Sequence, residues 1–228
     1  MKNSNPIQTY TMECDAILFD LDGVLIDSTT SIVQHWREWA DKHNLDLETI
    51  LQNAHGVRTI ETMRVVAPHL NLEDEAARFT ANEIIDTAGV IAIQGSYNLL
   101  SSIPPDCWAI ITSCGLMLVK ARMAAAGLPI PETLITADDV QNGKPSPEPY
   151  LMGAQRMYLP VDRCVVVEDA PAGITAGKKA GMRVIAIAST HPREELLENG
   201  ADFVLEKLEN LRISQSNNLY RLNIQFEN

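Results

Sequence analysis

Short runs of apolar, often β-branched residues recur along the chain: "AILF" at 16–19, "WAIIT" at 108–112, "TLIT" at 133–136, "CVVV" at 164–167 and "RVIAIA" at 183–188. Helical patterns lie between several of them. "LMLVKARMAAAG" (116–127) is rich in helix formers and stops at Gly127, a natural C-terminal cap. "PSPEPYLMGAQRMY" (145–158) opens on prolines, which suit a first helical turn, and "APAGITAGKKAG" (170–181) again ends on glycine. Strands alternating with helices predict an α/β fold whose mostly parallel sheet is covered on both faces.

Residues 28–92 interrupt this alternation. "TSIVQHWREWADKHN", "RTIETMRVVAPHL" and "EDEAARFTANEIIDTAG" carry apolar residues at three- and four-residue spacing, with no convincing strand. The pattern predicts a helical cap domain over 28–92, inserted in a core made of 1–27 and 93–228, with Gly95 marking the return to the core. The tail, "LYRLNIQFEN", alternates Leu222, Ile224 and Phe226 with Arg221, Asn223 and Gln225, a half-buried strand expected at a sheet edge.

Composition narrows the partners. The chain has 228 residues, 46% of them apolar, enough for one large core or a core with a smaller domain. A net charge of −12 disfavours nucleic acid and anionic membranes, so an anionic substrate must be held by local cations. No apolar run reaches membrane-spanning length, and "MKNSNPIQTY" has no hydrophobic signal core. Cys14, Cys107, Cys114 and Cys164 lack the paired spacings of a zinc site, so free thiols in a reducing cytoplasm are expected.

Chemistry enters where the apolar runs end. Asp20 closes the first run, with Asp22 two residues on in "DLDG". Thr112 and Ser113 close the second, Glu168 and Asp169 the fourth, and Lys144 lies beyond the third in "NGKPSPEP". Each alone has a bland reading: a turn aspartate, a helix cap, a solvated lysine. Together they sit where an open α/β sheet binds its ligands, at the carboxyl ends of the strands. Two aspartates crowded after a buried strand repel each other unless a cation joins them or the pair sits fully solvated in a turn. Mg2+, which takes hard oxygen ligands, fits Asp20, Asp22 and Asp169 together with a phosphate oxygen.

The constellation resembles the haloacid dehalogenase superfamily of phosphotransferases in "DLDGV" (20–24), "IITS" (110–113), "GKP" (143–145) and "VVVEDAPAG" (165–173). The resemblance extends over all but about the first twelve residues. It implies a Rossmann-like core of strand order 5-4-1-2-3, the inserted cap, and Mg2+ as cofactor. Valine at position 24 stands where threonine is common. "HGVRTIETM" (55–63), "ITADDVQNGKPSPEPYLMGA" (135–154) and "VVVEDAPAGITAGKKAG" (165–181) look like the branch of glycerol-phosphate and 2-deoxyglucose-6-phosphate phosphatases.

Carried onto this chain, the resemblance implies that Asp20 is the nucleophile and forms an aspartyl-phosphate. Asp22 would be general acid and then base, contacting metal through its backbone carbonyl. Asp169, with Glu168 as a further ligand or in support, completes the metal site. Thr112 and Lys144 hold the transferring phosphoryl group, and Ser113 assists through its amide. His55, Arg58 and Thr59 are the cap residues expected at the substrate, with a solvated cap surface as the bland alternative. Trp36 and Trp39 read as cap packing, and Cys114 as a small buried side chain. The expected protein is a monomeric cytoplasmic phosphatase of small phosphorylated metabolites. A β-phosphoglucomutase-type mutase is the alternative, followed by a non-enzymatic binding protein on the same core.

Overall fold

The computed structural model of the chain describes residues 9–215 and 222–227. Most of the polar N-terminal stretch, and Leu219, Tyr220, Arg221 and Asn228 of the tail, lie outside the described residues. The chain starts with β1 (Thr9–Cys14), β2 (Ala16–Phe19) and β3 (Ile26–Asp27). Helices α1 (Thr29–His43), α2 (Leu47–Ala54), α3 (Thr59–Val66) and α4 (Leu72–Ile85) follow, then β4 (Ile91–Ala92) and α5 (Ser96–Ser102). Next come β5 (Trp108–Ile111), α6 (Leu116–Ala126), β6 (Thr133–Ile135), α7 (Glu148–Arg156), β7 (Cys164–Glu168) and α8 (Pro171–Lys179). The chain continues with β8 (Arg183–Ile187), α9 (Arg193–Glu198), β9 (Phe203–Leu205), β10 (Leu211–Gln215) and β11 (Leu222–Glu227).

Among the described residues, six strands form a parallel sheet in the order β6-β5-β2-β7-β8-β9. That contains the expected 5-4-1-2-3 arrangement and extends it by β9. The uniform apolar runs follow from a sheet with two buried faces. Ile17, Phe19, Ile110, Val165 and Val167 join one apolar cluster, with Val119 and Met123 of α6. Their neighbours Leu18, Ala109, Ile111, Cys164 and Val166 join another, with Tyr150 of α7 and Ile174 of α8. Successive strand residues face opposite ways, so a strand covered on both sides must be apolar at every position.

The tail alternates as expected, with Leu222, Ile224 and Phe226 buried, but its place differs. β11 is the middle strand of a separate antiparallel sheet, β1-β11-β10, and not an edge strand. Its apolar face closes the first cluster. β1 supplies the neighbour that makes β11 central, although its polar-rich "TYTMEC" did not read as a strand.

Helices α1, α3 and α4 match the predicted helical stretches. α2 was not anticipated, although Leu47, Ile50, Leu51 and Ala54 lie along one helical face and Asp46 caps it by accepting from the Thr49 amide at 2.8 Å. These helices enclose their own apolar cluster, built on Trp36, Trp39, Ile50, Met63 and Phe79. The Trp36 ring packs 4.3 Å from Phe79 and edge-on to Trp39 at 5.4 Å, and the Trp39 indole donates to buried Glu75. The insert enters and leaves through a ribbon not seen in the sequence, in which β3 and β4 pair antiparallel, Ile26 opposite Ala92 and Asp27 opposite Ile91. No helix among the described residues is long and apolar enough to cross a membrane.

Candidate active site

Strand β2 sits where the sheet order reverses, between β5 and β7, so three strand ends deliver polar groups to one point. Asp20 leaves β2 with its amide donating to the Val167 carbonyl at 2.9 Å, and the residue is 5% exposed. Thr112 follows β5, while Glu168 and Asp169 end β7, all three buried. Lys144 comes from the loop before α7 and is also buried. Its ammonium donates to Asp20 Oδ1 and Glu168 Oε1, each at 2.6 Å.

Glycine closes "DLDG" for a steric reason. Gly23 has φ +82°, and a Cβ there would stand 2.1 Å from Asp169 Oδ2. No other residue lets the turn after β2 pass so close to a carboxylate. Gly173, in the first turn of α8, is held the same way: a Cβ would lie 1.7 Å from Glu168 Oε1.

The electrostatics favour a cation. Carboxylate oxygens of Asp20, Glu168 and Asp169 lie within 4.8 Å of one another, all three residues buried. Burial lifts the Asp20 carboxyl from its ordinary 3.8 to about 7, against the pull of Lys144. Burial, then repulsion from Glu168 and Asp20, raises Asp169 well above the usual range. Burial alone would lower Lys144, but Asp20 and Glu168 outweigh it and hold the ammonium above its ordinary value. Fully ionised, the three carboxylates against one ammonium would leave two negative charges, the complement of one divalent cation. A hard, all-oxygen donor set of this kind suits Mg2+.

Glu168 is already fully engaged. Its Oε1 accepts from Lys144 and from the Tyr150 hydroxyl at 2.8 Å, and its Oε2 accepts the Asp169 and Ala170 amides at 3.0 and 3.3 Å. Asp169 Oδ2 accepts a short hydrogen bond from the Thr190 hydroxyl. The Thr112 hydroxyl accepts from the Cys114 amide at 3.1 Å, which caps the turn leaving β5.

Asp22 lies apart from this carboxylate cluster. Its Oδ1 accepts from the Ser28 hydroxyl at 2.5 Å and from Arg122 Nη1 at 2.7 Å. Its Oδ2 faces the Cys114 thiol at 3.3 Å. Cys114 is half-buried: it packs against the edge of the first apolar cluster and also touches the Asp22 carboxylate.

From the inserted helices, His55, Arg58 and Thr59 line a cavity of about 480 Å³ that also reaches Asp20, Asp22, Thr112, Ser113 and Asp169. The His55 ring stands edge-on to His191 at 5.2 Å. Arg58 spends its guanidinium on the loop before α7, donating to Val140 and Gln141 carbonyls at 2.8 and 3.0 Å. The Ser113 hydroxyl donates to the Gly56 carbonyl at 2.9 Å, a second tie between sheet edge and insert. Trp36 belongs to the helical core but also contributes to the cavity wall.

Sequence reasoning passed over Arg122, Glu83, Tyr150, Thr190 and Ser28. For Arg122 a signal existed: a charged residue within the apolar helix "LMLVKARMAAA", buried where its neighbour Lys120 is exposed. The others sit in no pattern that separates them from ordinary polar residues.

The family model of haloacid dehalogenase-like hydrolases matches residues 17–187. Hexitol phosphatase A of Escherichia coli (strain K12) is 41% identical over 215 residues, covering 91% of this chain and 97% of the relative. Glycerol-1-phosphate phosphohydrolase 1 of Saccharomyces cerevisiae is 34% identical, covering 91% of this chain and 88% of the relative. Among solved structures, a hydrolase from Pseudomonas syringae superposes with a TM-score of 0.76 at 26% identity, covering 86% of this chain and 94% of its own.

Proposed function

Because the chain belongs to the haloacid dehalogenase-like hydrolases, we propose that it is a Mg2+-dependent phosphatase of small polyol and sugar phosphates. The observation that carries this is the buried quartet of Asp20, Lys144, Glu168 and Asp169 at the point where strand order reverses. The polyol phosphates named by its relatives set the first candidates: hexitol phosphates and glycerol phosphate, with 2-deoxyglucose 6-phosphate beside them.

Asp20, Asp169 and the backbone carbonyl of Asp22 would hold the ion. Bound there, Mg2+ would supply positive charge to the phosphoryl oxygens and relieve the crowded carboxylates. Asp20 attacks phosphorus, and the ester oxygen leaves with a proton from Asp22. Asp22 then takes a proton from water as that water attacks the aspartyl-phosphate. Phosphate departs and both aspartates return to their starting states. Lys144 and the Thr112 hydroxyl stabilise charge on the transferring group, with the Ser113 amide beside them. Glu168, whose oxygens already accept four hydrogen bonds, orients Lys144 and is not needed as a ligand.

Residues 28–92 act as a cap over the site, hinged at the β3–β4 ribbon. Arg58 and the Ser113–Gly56 contact are the clasps that keep water out, and His55 and Thr59 face the alcohol part of the substrate. Four free thiols support a reducing compartment and with it the cytoplasm. The test is phosphate release from sorbitol 6-phosphate, glycerol 1-phosphate and 2-deoxyglucose 6-phosphate, with Mg2+ and with chelator. Mg2+-dependent release from at least one is expected. If none is hydrolysed while β-glucose 1-phosphate, primed with its bisphosphate, becomes glucose 6-phosphate, the protein is a mutase and the reading fails.

A further inference from the structure

An arginine in the cavity of an enzyme that binds phosphate esters is the obvious candidate for a phosphate ligand. Arg122 is not free for that role. It is 3% exposed, and its guanidinium is divided between two carboxylates. Nη1 donates to Asp22 Oδ1 and Nη2 to Glu83 Oε1, each at 2.7 Å. One carboxylate belongs to the loop after β2. The other belongs to α4, in the inserted helices. Glu83 is 4% exposed, and its second oxygen, Oε2, is buried without a donor. Arg122 is thus the cation that makes this buried glutamate tolerable.

From this bridge we infer that Arg122 is the positioning residue of Asp22, and that Glu83 holds Arg122 in place. A guanidinium is planar, with donors in a fixed fork, so fixing one edge fixes the direction of the other. Glu83 fixes Nη2, and Nη1 then sets the position of Oδ1 of Asp22, with Ser28 on the same oxygen. The proton donor for the leaving oxygen is thereby tied to α4. An insert that shifts on the core displaces the Arg122 fork and with it the acid. The inference rests on the proposed phosphatase reading only in taking Asp22 as the acid.

The discriminating measurement is leaving-group dependence. Nitrophenolate leaves without a proton, whereas a benzyl alkoxide needs one. Purified full-length Arg122→Met, Arg122→Lys and Glu83→Gln are compared with the unaltered chain in Mg2+, using p-nitrophenyl phosphate and benzyl phosphate. The value of kcat/KM covers every step up to departure of the leaving group. For Arg122→Met it should fall about 100-fold on benzyl phosphate, the size of a general-acid contribution. On p-nitrophenyl phosphate the fall should stay within about threefold, with inhibition by inorganic phosphate unchanged. Arg122→Lys, which cannot span both carboxylates, should show the same bias, and Glu83→Gln a smaller one.

Equal losses on both esters, weaker phosphate inhibition, or no loss at all would each overturn the inference. The first two would make Arg122 a general structural element or a phosphate ligand. Asp22→Asn is the reference: if it lacks the benzyl bias, Asp22 is not the acid and the inference falls with it. Should Arg122→Met not fold, Arg122→Met combined with Glu83→Leu removes the buried pair together and carries the same comparison. Failure to hydrolyse polyol phosphates would sink the substrate reading alone, since neither test ester is a polyol.

Discussion

Stripped of divalent cations, the protein should lose stability as pH rises from about 4 to about 7, and Asp20 should be a principal cause. Burial holds the Asp20 carboxyl at about 7 instead of 3.8. Across that window the folded state keeps a proton that the unfolded chain releases. The folded state therefore binds more protons, and stability falls with rising pH until the carboxyl ionises in both states. At about 1.4 kcal/mol per pH unit the loss from Asp20 is ~4 kcal/mol. Asp169 is displaced in the same direction and adds to it. His55 works the other way, because burial, and then His191, lowers it below 6.5, so it favours the fold as pH rises towards that value. Burial would raise Glu75, but hydrogen bonds from Trp39, Lys42 and His43 outweigh it and bring the carboxyl down to about 2, so its contribution is lost as pH falls below 4.5 and opposes that of Asp20 only at the acid edge of the window.

Asp20→Asn isolates the contribution, since asparagine fills the same space and never ionises. Urea unfolding of chelated wild type and variant at about pH 4.5 and about pH 7.5 should show the variant gaining ~3 kcal/mol relative to wild type between the two. Adding Mg2+ should restore wild type far more at the higher pH, because the ion binds deprotonated carboxylates. Parallel pH profiles for the two chelated proteins would refute the reasoning: burial would then not be holding a proton on Asp20.

Two further substitutions probe the same cluster. In Gly173→Ala the new methyl would stand 1.7 Å from Glu168 Oε1. Glu168 must then leave Lys144, so phosphate release should fall at least about 100-fold. A fully active Gly173→Ala would show that Glu168 does not orient the lysine. Asp169→Ala removes one hard oxygen ligand, so the Mg2+ concentration for half-maximal activity should rise about tenfold or more. An unchanged titration would put the ion on other residues.

The parallel sheet was legible because burial on both faces demands uninterrupted apolar residues, and the chain's five clearest runs became β2, β5, β6, β7 and β8 almost residue for residue. The carboxylate and lysine positions were legible because each ends a strand or follows one, where a polar residue stands out against what precedes it. β9, β10 and β1 were not, since short or half-wet strands carry no run of that kind. The tail shows the limit most sharply: alternation reveals which face is buried, and says nothing of whether a second strand, β1, pairs on the free side. Arg122 left one trace, a charge within an apolar helix, but its pairing with Glu83 left none, for a deeper reason. The two are 39 residues apart, on helices separated in the chain by β4, α5 and β5, and neither belongs to a motif. Their meaning depends on α4 packing against α6, a contact made when the insert folds back on the core. A motif marks groups whose chemistry is local to one strand end. The parts of a site that couple two bodies exist only in the packing between them, and that is where Asp22 takes its orientation.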